Sequence, residues 1–93
     1  MIVFTKLEWR RDRVEHILDK HGITPGEVEE VCFGEHLILK GPGKGKKRIY
    51  YVFGRSEAGK YLFIVLKPLS KSIALPVTAM IMTEKQRRKY QRR

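Results

Sequence analysis

A β-hairpin is predicted by the stretch RIYYVFGRSEAGKYLFIVLK, residues 48–67, and this hairpin decides the fold class. Residues 48–55 and 60–67 are rich in Ile, Tyr, Phe and Val, which favour strands. The Ser-Glu-Ala-Gly between them has the length of a hairpin turn. Side chains alternate along a strand, so the first strand has two different faces. One face carries Arg48, Tyr50 and Val52, and the other carries Ile49, Tyr51, Phe53 and Arg55.

Two helices are predicted before the hairpin. Residues 10–21 repeat apolar side chains at helical spacing, and Gly22 follows them, where a helix C-terminus favours glycine. Thr24 begins the second helix, with Pro25 at its first position and Glu27 placed to complete a capping box. The buried stripe of this helix is predicted to be Val28, Val31 and Cys32.

The remaining elements are three strands and a short helix. Residues 2–7, 36–40 and 73–80 have strand composition, and Pro76, which has no backbone N–H, requires a sheet edge or a bulge. A second capping-box pattern at residues 83–86 opens a C-terminal helix. This order predicts an α+β fold. Two N-terminal helices would pack on a mainly antiparallel β-sheet of about four strands, followed by a short C-terminal helix.

Size and composition limit the classes of protein that the chain can belong to. Its 93 residues predict a single domain, residues 1–93, because a split would leave pieces too small to bury a core. The longest apolar run, residues 61–66, is strand-sized, so we predict no membrane association. The one cysteine, Cys32, permits no internal disulfide and favours the cytoplasm. No histidine or cysteine spacing fits a metal site, so neither a metal nor a cofactor is predicted.

The net positive charge comes entirely from the second half of the chain. Residues 1–46 carry 8 Lys or Arg and 8 Asp or Glu, whereas residues 47–93 carry 12 against only Glu57 and Glu84. This difference accounts for the whole net charge of +10. A one-sided excess favours a polyanionic partner, because each phosphate contact releases counterions. Charge alone does not distinguish RNA, DNA and an acidic protein.

Two clusters of cations are candidates for RNA contact. Lys44, Lys46 and Lys47 lie in and after a glycine-rich loop, whose backbone amides can approach a phosphate. The C-terminal helix adds Arg87 and Arg88, and it also contains Tyr90, whose ring is available for base stacking. The alternative is that the loop is a solvated hairpin tip and that the helix only increases solubility.

The hairpin itself provides a third candidate. Arg55 and Lys60 flank its turn, and Tyr61 follows. Cations beside a tyrosine on a rigid sheet suit RNA, because the charge holds phosphate and the ring stacks a base. The alternative is that the tyrosine belongs to the core and the cations to solvated strand ends.

Short blocks spread along the chain resemble the BrnT family, the toxins of BrnT/BrnA type II toxin–antitoxin pairs. These blocks, in order, are Glu8-Trp9, Lys20-His21-Gly22-Ile23, Glu27-Val28, Arg48-Ile49-Tyr50, Gly54-Arg55-Ser56, Ala58-Gly59-Lys60-Tyr61-Leu62, Val77-Thr78-Ala79 and Gln86-Arg87-Arg88-Lys89-Tyr90. The resemblance covers roughly residues 6–93. It implies a RelE-like fold, a metal-independent endoribonuclease that cleaves RNA, and a BrnA-like antitoxin that supplies any DNA binding.

The resemblance also implies roles for individual residues. Arg48 and Arg55 would hold the phosphate with Lys60 as a further cation, since arginine is planar, bidentate and permanently charged. His21 is the fallback general base, because its ordinary pKa is near neutrality. Two family arginines are replaced by Leu75 and Met80. Three interpretations therefore stay open: an active ribonuclease toxin, a weakened relative that binds antitoxin or RNA, and a non-catalytic basic nucleic-acid-binding module.

Overall fold

The structure is a computed structural model that describes residues 4–92, except for the side chain of Lys46. Its helices are α1 (Arg11–His21), α2 (Pro25–Phe33) and α3 (Glu84–Gln91). Its strands are β1 (Lys6–Leu7), β2 (His36–Lys40), β3 (Tyr50–Arg55), β4 (Tyr61–Pro68) and β5 (Ile73–Ile81). A single 3₁₀ turn, Gly45–Lys47, lies between β2 and β3. The predicted α+β class is confirmed.

Within residues 4–92 the sheet has five strands in the order β1-β5-β4-β3-β2, rather than the predicted four. The additional strand is β1, which pairs in parallel with the start of β5, whereas the other pairings are antiparallel. A strand was predicted over residues 2–7, of which residues 2 and 3 lie outside the described part of the chain. Because β1 has only two residues, its sequence pattern is too weak for it to be counted among the strands of the sheet.

Local capping interactions fix the ends of the helices. The Thr24 hydroxyl accepts a hydrogen bond from the Glu27 backbone N–H at 3.2 Å, and the Glu27 carboxylate accepts one from the Thr24 N–H at 3.0 Å. The same reciprocal pair joins Thr83 and Gln86 at the start of α3. Gly22 closes α1 at φ 68°, a conformation that favours glycine. Both predicted capping boxes and the predicted helix end are confirmed.

The core lies between α1, α2 and one face of the sheet. Side chains buried there to 1% exposure or less are Ile17, Ile23, Val28, Val31, Val52, Leu62, Ile64, Leu66, Ala74 and Ala79. The helix α3 lies on the opposite face, where Tyr90 packs edge-on against Tyr61 with ring centroids 6.2 Å apart. The sheet therefore separates a closed core from a second face that α3 covers only in part.

Pro76 lies at a bulge, as predicted. Val65 of β4 pairs with Thr78, but the next residue, Leu66, pairs with Pro76, so β5 carries one extra residue. On its other side β5 pairs with β1 only at Ile73 and Ala74. No ladder hydrogen bond from Pro76 is therefore needed.

Gly54 allows α2 to approach β3 closely. It is buried on the helix-facing side of β3, and a Cβ atom there would lie 2.5 Å from Val31 Cγ1. Any larger residue would push the strand and helix apart. Gly54 directly precedes Arg55, so this contact also sets the position of the first predicted site residue.

Replacing Gly54 with alanine is expected to destabilise the fold by about 1–3 kcal/mol, because the added methyl group meets Val31. Gly26→Ala is the matched control. It lies in the first turn of α2 with no atom closer than 3.9 Å to the new Cβ, and should be neutral or stabilising by up to about 1 kcal/mol. Urea denaturation measures both. A Gly54→Ala variant as stable as the wild type contradicts the close approach, and adding Val31→Ala should recover part of the loss.

Candidate active site

Arg55, Tyr61 and Arg87 meet at the end of the β3–β4 hairpin. Arg55 and Tyr61 are cross-strand partners, and the Arg55 guanidinium carbon lies 5.7 Å from the centre of the Tyr61 ring. Arg87 reaches over the same ring from α3, at 4.2 Å. Gln91, one turn after Arg87, donates from Nε2 to the Tyr61 hydroxyl at 3.4 Å. We refer to Arg55, Tyr61, Arg87 and Gln91 as the Tyr61 cluster.

The surroundings of Tyr61 favour its ionised form. The hydrogen bond from Gln91 is the main cause that lowers the pKa of Tyr61 below its ordinary value of 10.0. The positive charges of Arg55 and Arg87 act in the same direction, and partial desolvation opposes them. A lowered pKa increases the fraction of Tyr61 in the phenolate form, which is the form that can accept a proton, and two guanidinium groups beside it can hold a phosphate.

The cluster opens into a surface cleft whose lining carries both signs of charge. Arg55, Tyr61 and Gln91 line it together with Glu30, Glu35 and Glu57. The three carboxylates keep the cleft from being a uniformly positive surface. A phosphate bound here would be attracted by Arg55 and repelled by the carboxylates.

Two carboxylates of α2 hold the hairpin turn. Glu27 Oε2 lies 2.9 Å from Lys60 Nζ, and Glu30 Oε1 accepts a hydrogen bond of 3.2 Å from the Glu57 backbone N–H. Within the turn, the hydroxyl of the buried Ser56 accepts one of 3.1 Å from the Lys60 N–H. These contacts place the two strand ends that carry Arg55 and Tyr61. They also place the Lys60 ammonium on the helix side of the sheet, away from the Tyr61 cluster.

The structure does not bring the four predicted catalytic side chains together. Arg48 precedes β3, and its Nη1 donates to the carbonyl of Gly41 at 3.4 Å. The strand from Tyr50 to Arg55 already spans about 17 Å, so Arg48 and Arg55 do not reach one phosphate. His21 ends α1 on the helix layer, with its ring 5.9 Å from that of His16. Of the four, only Arg55 belongs to the Tyr61 cluster.

The predicted RNA-binding residues are divided between the two ends of the sheet. Tyr61 and Arg87 lie in the cluster, and Arg88 forms an ion pair with Glu84 on α3. Lys44 and Lys47 are exposed near the beginning of β3, at the other end of that strand from Arg55. The side chain of Lys46 lies outside the described residues.

Tyr90 does not offer the open ring that was expected for stacking. Its side chain is only 7% exposed and packs against Tyr61. Gln91 was not predicted as a site residue. Its spacing of four from Arg87 was the available signal, because residues four apart share one face of a helix.

Leu75 and Met80, the two positions at which the sequence resemblance implies arginines, carry apolar side chains. Leu75 is buried at 7% exposure. Met80 pairs with Phe63 in the β4–β5 ladder. Phe63 is two residues after Tyr61 on β4, so the two side chains share a face of the sheet. Met80, as the partner of Phe63, lies on that same face.

The described residues give no sign of a metal centre or of a membrane span. Within residues 4–92, no three His, Cys, Asp or Glu side chains gather as metal ligands. No helix in that part of the chain is both long and apolar enough to cross a bilayer. Cys32 is buried, and desolvation raises the pKa of its thiol to about 12, so it is not a nucleophile near neutral pH.

Comparison with known proteins identifies the fold. No protein-family model and no curated protein sequence matches the chain. Among solved structures, the crystal structure of the Brucella abortus ribonuclease toxin BrnT matches with a TM-score of 0.65. The chain has the BrnT fold. The match covers 85% of this chain and 97% of BrnT at 14% sequence identity. It confirms the fold that the sequence blocks implied.

Removing the charges around Tyr61 is expected to raise its pKa. Arg55→Gln and Arg87→Gln each remove a neighbouring cation, and Gln91→Leu removes the hydrogen-bond donor. Titration of ¹³Cζ-labelled tyrosine by NMR measures the four tyrosines separately. Arg11→Gln on the exposed side of α1 is the matched control and should leave the titration unchanged. A Tyr61 titration that is identical in all these variants contradicts the described electrostatics.

The Glu27–Lys60 pair should make stability depend on pH. Hydrogen bonds from the Thr24 backbone N–H and then from Lys60 lower the pKa of Glu27 below its ordinary value of 4.5. The stabilisation is therefore complete above about pH 4.5 and is lost as the pH falls through the lowered pKa. Lys60 is 43% exposed, so a cycle with Glu27→Gln and Lys60→Met should give a coupling of only about 0.2–1 kcal/mol. Urea denaturation midpoints measured between pH 3 and 7 test this pH dependence. A coupling free energy of zero at pH 7 would contradict a stabilising Glu27–Lys60 pair.

Proposed function

We propose that the chain is the toxin of a type II toxin–antitoxin pair and a metal-independent ribonuclease whose active site is the Tyr61 cluster. The main support for this proposal is that Arg55 and Arg87 both approach Tyr61, whose pKa is lowered. The BrnT fold supports the same proposal, because the matching structure is that of a ribonuclease toxin.

The chemistry uses the 2′-hydroxyl of the RNA as nucleophile. Tyr61 in its ionised form accepts the 2′-OH proton, the 2′-oxygen forms a bond to phosphorus, and the bond from phosphorus to the 5′-oxygen breaks. The departing oxygen takes a proton from water, leaving a 2′,3′-cyclic phosphate and a 5′-hydroxyl. Arg55 and Arg87 stabilise the negative charge that develops on the phosphorane. A positioned acid or base contributes about 10²–10⁴-fold to such a reaction.

The same proposal defines the partners. RNA is the substrate, and a BrnA-like antitoxin neutralises the toxin and carries the DNA-binding part of the complex. The place of action is the cytoplasm. The cations outside the Tyr61 cluster, including Lys44 and Lys47, extend the contact with RNA phosphates through long-range attraction.

A weakened or non-catalytic protein is the second candidate, and one observation favours it. Met80 lies on the Tyr61 face at a position where the sequence resemblance implies an arginine, so a phosphate there would meet a thioether instead of a cation. The loss of one transition-state donor costs about 10²–10³-fold elsewhere. In this case the chain binds RNA or an antitoxin and cleaves slowly or not at all.

Cleavage of purified RNA in the presence of a chelator tests the ribonuclease proposal. Tyr61→Phe, Arg55→Ala and Arg87→Ala should each reduce cleavage by about 10²–10³-fold, because each removes a group that acts in the transition state. Arg11→Ala, which removes a cation from the outer side of α1, is the matched control and should retain full activity.

The outcomes separate the two candidates. Cleavage that survives Tyr61→Phe and Arg87→Ala contradicts the assignment of the site. A wild-type chain that binds RNA with strong salt dependence but does not cleave it supports the weakened candidate. In that case, Met80→Arg should introduce cleavage, whereas Leu75→Arg would bury a charge and is not informative.

A further inference from the structure

An apolar groove lies beside the Tyr61 cluster on the face that carries α3. Its floor is formed by side chains from β2, β3 and β4, and its wall by α3. The floor residues are Leu37, Leu39, Tyr51, Phe53 and Phe63, and the wall residues are Lys85, Gln86, Lys89 and Tyr90. The groove has a volume of about 340 Å³, which is within the range of pockets that bind small molecules and cofactors.

The floor of the groove is a continuous hydrophobic surface. Phe63 stacks on Phe53 with ring centroids 5.0 Å apart and packs against Tyr51 at 5.3 Å. Leu39 at the sheet edge is 40% exposed. A contiguous apolar area on a chain with a net charge of +10 marks an interaction surface, since single exposed apolar residues would need no explanation.

The chemistry of the groove distinguishes a protein occupant from a nucleobase. Base edges carry several hydrogen-bond donors and acceptors, whereas the floor contains one polar group, the Tyr51 hydroxyl. Aliphatic or aromatic side chains of a protein fit this floor without leaving polar groups unpaired. A ridge of apolar side chains at helical spacing has the form that lies in such a groove.

The charges on the wall indicate acidic residues in the occupant. Lys85 and Lys89 are exposed and lie four residues apart on α3, so they project from one side of that helix. In the part of the chain that the structure describes, neither has a carboxylate within ion-pair distance. Carboxylates four residues apart on a second helix match this spacing, about 6 Å along the axis.

We propose that this groove binds an amphipathic helix of a partner protein, with an apolar ridge on the floor and acidic side chains against Lys85 and Lys89. The groove also adjoins the Tyr61 cluster. Tyr90 lines both the groove and the cleft at Tyr61, and the Phe53–Phe63 pair is two residues along each strand from the Arg55–Tyr61 pair, about 7 Å. The end of the bound helix therefore covers Arg55 and Arg87. This last step rests on the proposed function: because the bound helix covers Arg55 and Arg87, the occupant is the neutralising partner that excludes RNA.

Methyl NMR with a designed peptide tests the groove directly. The probe is an 18-residue helical peptide with Leu at positions i, i+3, i+4 and i+7 and Glu beside this stripe, and the control peptide has Lys in place of each Glu. The acidic peptide should shift the methyl signals of Leu37 and Leu39 in a saturable way. Reversing the charges of Lys85 and Lys89 to Glu should weaken its binding at least about tenfold. Lys71→Glu, in the β4–β5 loop, is the matched control and should have little effect.

Three results would overturn the proposal. One is the absence of a saturable shift at Leu37 and Leu39, and another is equal binding of the basic peptide. The third is an oligoribonucleotide that shifts the same methyl groups and displaces the acidic peptide, which would make the groove a base-stacking surface. Tyr61→Phe should bind the acidic peptide as the wild type does, because the groove does not require the Tyr61 hydroxyl. Peptide binding therefore tests the groove, and the cleavage assay separately tests the ribonuclease proposal.

Discussion

The anchoring of the β3–β4 turn by α2 is the constraint on which the site depends. Glu27 and Glu30 each hold one residue of the turn, and Gly54 lets the helix approach β3 closely enough for this. The strands leave the turn with Arg55 and Tyr61 paired across the ladder. The register of the hairpin then brings Tyr61 within reach of α3, which supplies Arg87 and Gln91. One helix therefore fixes the position of the hairpin, and another completes the site.

The excess of cations overstates how much charge faces the site. Among the cations of the described residues, only Arg55 and Arg87 lie against Tyr61, whereas Lys60 is paired with Glu27 and Arg88 with Glu84. The remaining cations act at longer range and are screened within about 10 Å at ordinary salt concentrations. Net charge therefore explains an attraction to polyanions, while the local chemistry depends on two guanidinium groups and a tyrosine.

The fold could be predicted from sequence because its signals are local. Capping boxes at Thr24 and Thr83, the terminal Gly22 and the alternation in residues 48–55 each depend on a few neighbouring residues. The site depends on contacts between distant residues, so only part of it could be predicted. The pairing of Lys60 with Glu27 and the burial of Tyr90 follow from tertiary packing. The separation of Arg48 from Arg55, by contrast, could have been predicted from sequence. The rise per residue of a strand already places the two side chains too far apart to share one phosphate.

The most direct test of the account is a structure of the chain bound to a short 2′-O-methyl RNA, which cannot be cleaved through its blocked 2′-oxygen. The account predicts that one phosphate lies within hydrogen-bond distance, about 3 Å, of both Arg55 and Arg87, with the Tyr61 hydroxyl directed at the adjacent 2′-oxygen. A phosphate held instead by the loop around Lys44 and Arg48, with nothing bound at Tyr61, would contradict it.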